Sequence, residues 1–258
     1  MDIKIIERIF RENSGLAISL RNIIWRYVEK LGRTVKIMNF CGTHEWTTVH
    51  FGIRSLMPPG LELVAGPGCP VCITPSYYIE KVIELSFEGV TVYTFGDAYR
   101  LPALRPVKGA RSLEEARALG GEVKVVYSFL DAIKEHKKDV GVFLGIGFET
   151  TSPSYAIPLK MGKVPDGLYF LSVLRLTPPA AEYAIKKALE KGVTPVQGII
   201  APGHVTTVTG AKPWLEIAEK YSIPTVVSGF EPIDLLISIA RILKMLYEGR
   251  AGLEIEYK

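Results

Sequence analysis

The sequence predicts an α/β fold: two similar lobes with parallel sheets flanked by helices, a central cleft, and an N-terminal helical arm. Three observations carry this expectation. Short apolar runs alternate with segments of helical period, which is the pattern of repeated β-then-α units. The loops between them are short, as connections in parallel sheets usually are. A weak internal repeat is also visible: Ala65-Gly66-Pro67-Gly68-Cys69, a helix and Thr91 to Gly96 resemble Ala201-Pro202-Gly203-His204, a helix and Thr225 to Phe230. Phe40 to Glu45 likewise resembles Gly147 to Thr151.

In chain order, residues 2–31 have helical spacing, with Asn13-Ser14-Gly15 as a break. Strands are predicted at 35–40, 61–65, 90–95, 123–127, 140–146, 169–174, 196–201 and 225–227. Helices are predicted after Cys41 and at 76–85, 113–119, 129–137, 180–191, 214–221 and 233–247. The domain division expected is a helical arm over 1–34, a first Rossmann-like lobe over 35–138 and a second over 139–258. In such sheets ligands bind beyond the carboxyl ends of the strands, and the notable motifs all sit at predicted strand ends.

Composition narrows the function. At 258 residues, with 48% hydrophobic and 22% charged residues, the chain can build a core without disulfide staples. A net charge of +4 without a dense Lys/Arg run gives no reason to expect nucleic acid. No apolar run reaches the ~20 residues of a membrane span, and the charged start lacks a signal-peptide core. A cytoplasmic protein is expected, in which a C-x-x-C is more often catalytic or metal-binding than structural.

All three cysteines lie between Cys41 and Cys72. Cys69-Pro70-Val71-Cys72 follows a strand and a Gly-Pro-Gly turn and is expected to open a helix, whose N-terminus would favour a thiolate on Cys69. The two thiols suit a redox pair; two buried apolar cysteines and a zinc site are the rivals, although a second C-x-x-C for zinc is missing. Cys41 ends a strand, with Gly42 and Thr43 in the turn and His44 and Glu45 following. Cys41 and His44 could ligate a metal together, or His44 could serve the thiol as acid or base; a lone Cys41 would be inert core. His50 is open between packing and support of the site, and Trp46 is expected in the core. Glu149 is a candidate proton carrier, with Thr150, Thr151 or Ser152 as helix caps. His204 is open between ligand, base and core histidine, and Asp234 reads as a helix cap. No phosphate-loop pattern is present.

Taken together, Cys41-Gly42-Thr43-His44-Glu45, Gly66-Pro67-Gly68-Cys69-Pro70-Val71-Cys72, Gly147-Phe148-Glu149-Thr150-Thr151, Pro202-Gly203-His204-Val205 and Gly229-Phe230-Glu231-Pro232 resemble, in order, the motifs of the HypD family of [NiFe]-hydrogenase maturation factors. The resemblance runs from about residue 35 to the end of the chain. It implies a scaffold on which the Fe(CN)2CO unit is assembled, with the iron shared with HypC and cyanide received from HypE, itself loaded by HypF. It implies an iron-site thiol at Cys41 with His44 beside it, a redox couple at Cys69 and Cys72, and Glu149 and His204 around the cleft. Gly42, Thr43, Glu45 and Thr150 are motif residues expected to line the cofactor. Family members continue into a domain with cysteines for a [4Fe-4S] cluster, whereas this sequence has no cysteine after Cys72. The cluster is therefore expected on a separate domain, if at all. The resemblance implies another histidine in relatives where this sequence has Trp46. Two other classes stay open: a stand-alone thiol–disulfide oxidoreductase, and a two-lobed binding module without chemistry of its own.

Overall fold

Strand β5 (Gly141–Gly147) is buried at every position, and β3 (Thr91–Thr94), β7 (Gly198–Pro202) and β8 (Thr225–Ser228) are likewise buried throughout. Such unbroken burial requires cover on both faces, as in a parallel sheet wrapped by helices. The computed structural model describes residues 12–137, 140–193 and 196–257.

The chain begins with α1 (Ser14–Leu31), β1 (Val35–Asn39), α2 (Gly42–His50), α3 (Ile53–Leu56) and β2 (Leu61–Ala65). It continues through α4 (Ser76–Phe87), β3, α5 (Gly96–Tyr99), α6 (Leu113–Ala118), β4 (Val123–Val125), α7 (Phe129–Glu135), β5, α8 (Ser152–Lys160) and β6 (Leu168–Leu174). It ends with α9 (Thr177–Glu190), β7, α10 (Gly203–Thr209), α11 (Lys212–Tyr221), β8, α12 (Pro232–Tyr247) and β9 (Leu253–Ile255). Two sheets form, in the orders β2-β1-β7-β8-β9 and β4-β3-β5-β6, and every strand pair is parallel.

The sheets belong to two compact units: the described residues up to Cys69 with those from Thr177 on, and Pro70–Leu176. This differs from a division near residue 138. β1 pairs with β7, from Ile37 opposite Gly198 to Asn39 opposite Ile200, so the first and last thirds of the chain share one sheet. The second unit is inserted between β2 and α9. The sequence repeat does not map onto the two units either, since 65–96 crosses from one unit to the other whereas 201–230 stays in one.

In the first unit, one side of the sheet is covered by α1 and α12, whose Leu20, Ile24 and Val28 share a core with Leu236, Ile239 and Leu243. The N-terminal helix thus packs its apolar face on the body of this unit. Asn13 caps it, its Oδ1 accepting from the Leu16 N–H at 3.0 Å; the helix expected before Asn13 lies outside the described residues. The other side holds Phe40, Ala181, Ile185, Trp214 and Ile217. The second unit has its own cores, around Ile83, Val92 and Leu144 and around Phe129, Phe143 and Tyr155.

Candidate thiol and imidazole site

The carboxyl ends of β1, β2, β7 and β8 lie along one edge of the first sheet, and four motifs meet there. Cys41 is the N-cap of α2 and the free cysteine, buried at 5% exposure. Its N–H donates to Asn39 Oδ1 at 3.3 Å, and the Asn39 amide donates to Glu45 Oε2 at 2.9 Å. Glu45 also pairs with Arg54 at 2.6 Å, so it braces the turn around the thiol. Gly42 and Thr43 are exposed on the first turn of α2.

The Gly66-Pro67-Gly68 loop lies flat on the end of β1. Gly66 N–H donates to Asn39 O at 2.7 Å, and Gly42 N–H donates to Gly68 O at 3.1 Å. A Cβ on Gly68 would overlap the Phe40 carbonyl and the Cys41 nitrogen. This approach of backbone to backbone needs glycine for its missing side chain, not for an unusual φ. It brings Cys69 beside Cys41: a Cβ placed on Gly42 would sit 3.6 Å from Cys69 Cβ.

Cys69 and Cys72 are both disulfide-bonded. They sit in a turn and not at the head of a helix, contrary to expectation. Thr74 closes the turn, its N–H donating to Val71 O at 3.2 Å and its Oγ1 to Pro70 O at 2.9 Å. Pro75 disfavours helical dihedrals at Thr74, so α4 starts only at Ser76. Cys72 is exposed.

His44, in the first turn of α2, is wholly buried. Its Nε2 lies 2.9 Å from Gly229 O. A carbonyl only accepts, so Nε2 carries the hydrogen and Nδ1 is bare. Nδ1 is buried and has no hydrogen-bond partner among the described residues. The ring stacks on Phe230 at 4.7 Å, and His204 meets the same phenyl edge-on at 4.9 Å. Burial, and to a smaller extent the charge of His204, pulls the His44 pKa from 6.5 to about 4, against hydrogen bonding to the backbone of Gly229 and, more weakly, of Ser228. His44 is therefore neutral at physiological pH, with one bare nitrogen on a ring three residues after the buried Cys41.

This has a pH signature. The unfolded chain binds a proton on His44 between 6.5 and about 4 that the folded chain refuses, so its contribution is complete above 6.5 and is lost as pH falls toward 4. The interval corresponds to roughly 3 kcal/mol. Urea unfolding should show wild-type stability falling between neutral pH and about pH 4.5, with the slope markedly flatter in His44→Gln. Equal slopes would contradict a buried neutral His44.

His204 follows β7 in the same unit as Cys41 and His44, not in an opposing lobe. Glu149 and Thr150 follow β5 in the second unit; Glu149 is 3% exposed, and Thr150 is exposed. Trp46, expected in the core, is 55% exposed and stacks on His50 at 4.5 Å on the outer face of α2. That face is turned from the sheet, so the indole lies outside the core. Phe230 comes from the Gly229-Phe230-Glu231-Pro232 motif, whereas Asn39, Thr47 and Glu256 join the site without having been anticipated. Asn39 carried a faint signal, a polar residue closing an apolar strand. Glu256 carried none, because β9 is only three residues long. Asp234 does cap α12, as expected, in a capping box with Glu231.

The fold and the site define a parallel α/β protein with a buried thiol, a neutral imidazole and an adjacent disulfide turn at one sheet edge. Among the described residues no group of three or more His, Cys, Asp or Glu side chains is placed to hold a metal ion. The family model "HypD: Hydrogenase formation hypA family" matches residues 16–258. The chain is 41% identical over 237 residues to the putative hydrogenase expression/formation protein of Methanocaldococcus jannaschii, covering 90% of this chain and 63% of that protein. It is 38% identical over 253 residues to hydrogenase maturation factor HypD of Rhodobacter capsulatus, covering 94% and 65%. With HypD of Escherichia coli the identity is 35% over 233 residues, covering 88% and 60%. The chain belongs to the HypD family. It spans less than two thirds of the length of these relatives.

Proposed function

We propose that this chain acts in hydrogenase maturation as a cytoplasmic scaffold for the Fe(CN)2CO unit of [NiFe] hydrogenase. The iron unit is cargo, held through the Cys41 thiolate together with a thiolate from HypC, with cyanide delivered by HypE. The observation that carries this reading is a free buried thiol, Cys41, three residues before a neutral histidine whose Nδ1 is bare, with no group of three or more donors among the described residues to complete a metal site. A soft thiolate suits iron bearing strong-field ligands, and a shortage of donors suits a site completed by a partner. In this reading His44 either ligates through Nδ1 or takes a proton there. Cys69 and Cys72 are the redox pair of that site, dithiol and disulfide interconverting as two electrons and two protons are exchanged with the iron unit. Glu149 and His204 are proton carriers, and a [4Fe-4S] cluster, where relatives have one, would reside on a separate domain.

Anaerobic co-purification with HypC tests the anchor. Iron should be retained by wild type and by the distal variant Glu216→Gln, and lost in Cys41→Ala. Undiminished iron in Cys41→Ala would remove Cys41 from the role.

The disulfide with its exposed Cys72 favours one second reading, a stand-alone thiol–disulfide oxidoreductase. Dithiol exchange that persists in Cys41→Ala and disappears in Cys72→Ser would support it.

A further inference from the structure

The turn after β8 is gripped from both sides. On one side its carbonyls accept from α2: Gly229 O from His44 Nε2–H at 2.9 Å, and Phe230 O from Thr47 Oγ1 at 2.8 Å. On the other side two buried carboxylates take its N–H groups. Glu256, 7% exposed at the end of β9, receives Gly229 N–H at 3.4 Å. Asp234 Oδ2 receives Glu231 N–H at 2.9 Å, and Asp234 also accepts from the Phe230 N–H. A peptide group is planar, so holding its N–H aims its carbonyl. Phe230 N–H shares a plane with Gly229 O, and Glu231 N–H shares one with Phe230 O. The planes that Asp234 holds are therefore those whose carbonyls meet His44 and Thr47, and Glu256 holds the plane before them.

We propose that Asp234 and Glu256 are positioning residues for His44, fixing the turn so that its ring carries hydrogen on Nε2 and presents a bare Nδ1. A helix cap alone does not account for the pair. A capping box needs Asp234 and Glu231, whereas Glu256 lies on another element and touches the turn rather than the helix. Gly229 completes the arrangement, because a Cβ there would overlap the Asp234 carboxylate. The cost is two carboxyls in one buried place: burial raises the pKa of both, and Asp234 raises Glu256 further. Arg241, which donates to Ile255 O at 3.1 Å, partly offsets this at Glu256. What His44 serves rests on the scaffold reading; how it is held does not.

The test is NMR of the ring nitrogens in protein labelled with 15N-histidine, in which bare and protonated nitrogens fall in separate ranges. Four histidines make assignment by single substitution practical. Wild type should show His44 as one neutral tautomer with Nδ1 bare. Asp234→Ala and Glu256→Leu should lose that single signature, and Asp234→Asn and Glu256→Gln, which keep an acceptor oxygen, should restore it at least in part. Ile217→Ala, which weakens packing on the far side of the sheet, should leave it unmoved. If one of the two truncations fails to fold, the other is read alone. A wild-type His44 signature in every folded variant, or Nδ1–H in wild type, would overturn the proposal. The readout needs no iron, so a failed iron assay beside a shifted His44 would sink the scaffold reading and spare the positioning, and the reverse pattern would do the opposite.

Discussion

Gly68→Ala is expected to destabilise the protein by about 3 kcal/mol or more, at the upper end of overpacking costs. The new methyl would overlap Phe40 carbonyl atoms and the Cys41 nitrogen, which are backbone and cannot swing aside. Relief requires the Gly-Pro-Gly loop to lift from β1, breaking the bond from Gly42 N–H to Gly68 O and moving Cys69 away from Cys41. Urea unfolding gives the stability. Labelling of Cys41, now buried at 5% exposure, should become faster in the same variant. A loss below about 1 kcal/mol would mean that the loop can flex where it is here held flat.

Trp214→Ala should cost a further large amount, about 4 kcal/mol. Trp214 is fully buried in α11, and its ring lies 5.9 Å from that of Phe40, the residue before Cys41. Its indole N–H has no hydrogen-bond partner among the described residues, so the loss is one of packing and cavity. Trp214→Phe should therefore recover much of the stability, and Cys41 labelling should follow the same order. If Phe were as damaging as Ala, packing behind the thiol would not be the cause.

Much of this was legible in the sequence because it is local. β2 was placed at 61–65 as observed, and β1, β5 and β8 within one residue at each end, since each is a short apolar run bounded by turn residues. The cysteines, His44, Glu149 and His204 stood out because thiols, imidazoles and carboxylates seldom sit at apolar strand ends without purpose. The sheet order was not legible. An alternation of strand and helix reads alike whether the next strand joins the same sheet or a new one, and only packing decides that β1 lies between β2 and β7. For the same reason His204 was expected across a cleft and is found in the unit of Cys41. The Cys69–Cys72 segment, expected to open a helix, is a turn because Pro75 disfavours helical dihedrals at Thr74 and delays the helix to Ser76. Glu256 and its grip on Gly229 depend on a three-residue strand and a contact 27 residues apart in the chain, which no periodicity announces.

On the proposed reading Cys41 anchors the iron unit. Infrared spectroscopy of the anaerobically purified complex with HypC tests it most directly, because bound cyanide and carbon monoxide absorb where protein is nearly transparent. Cyanide and carbon monoxide bands are expected in the wild-type complex and should be lost in Cys41→Ala with HypC still bound. Bands of undiminished intensity in Cys41→Ala would contradict it.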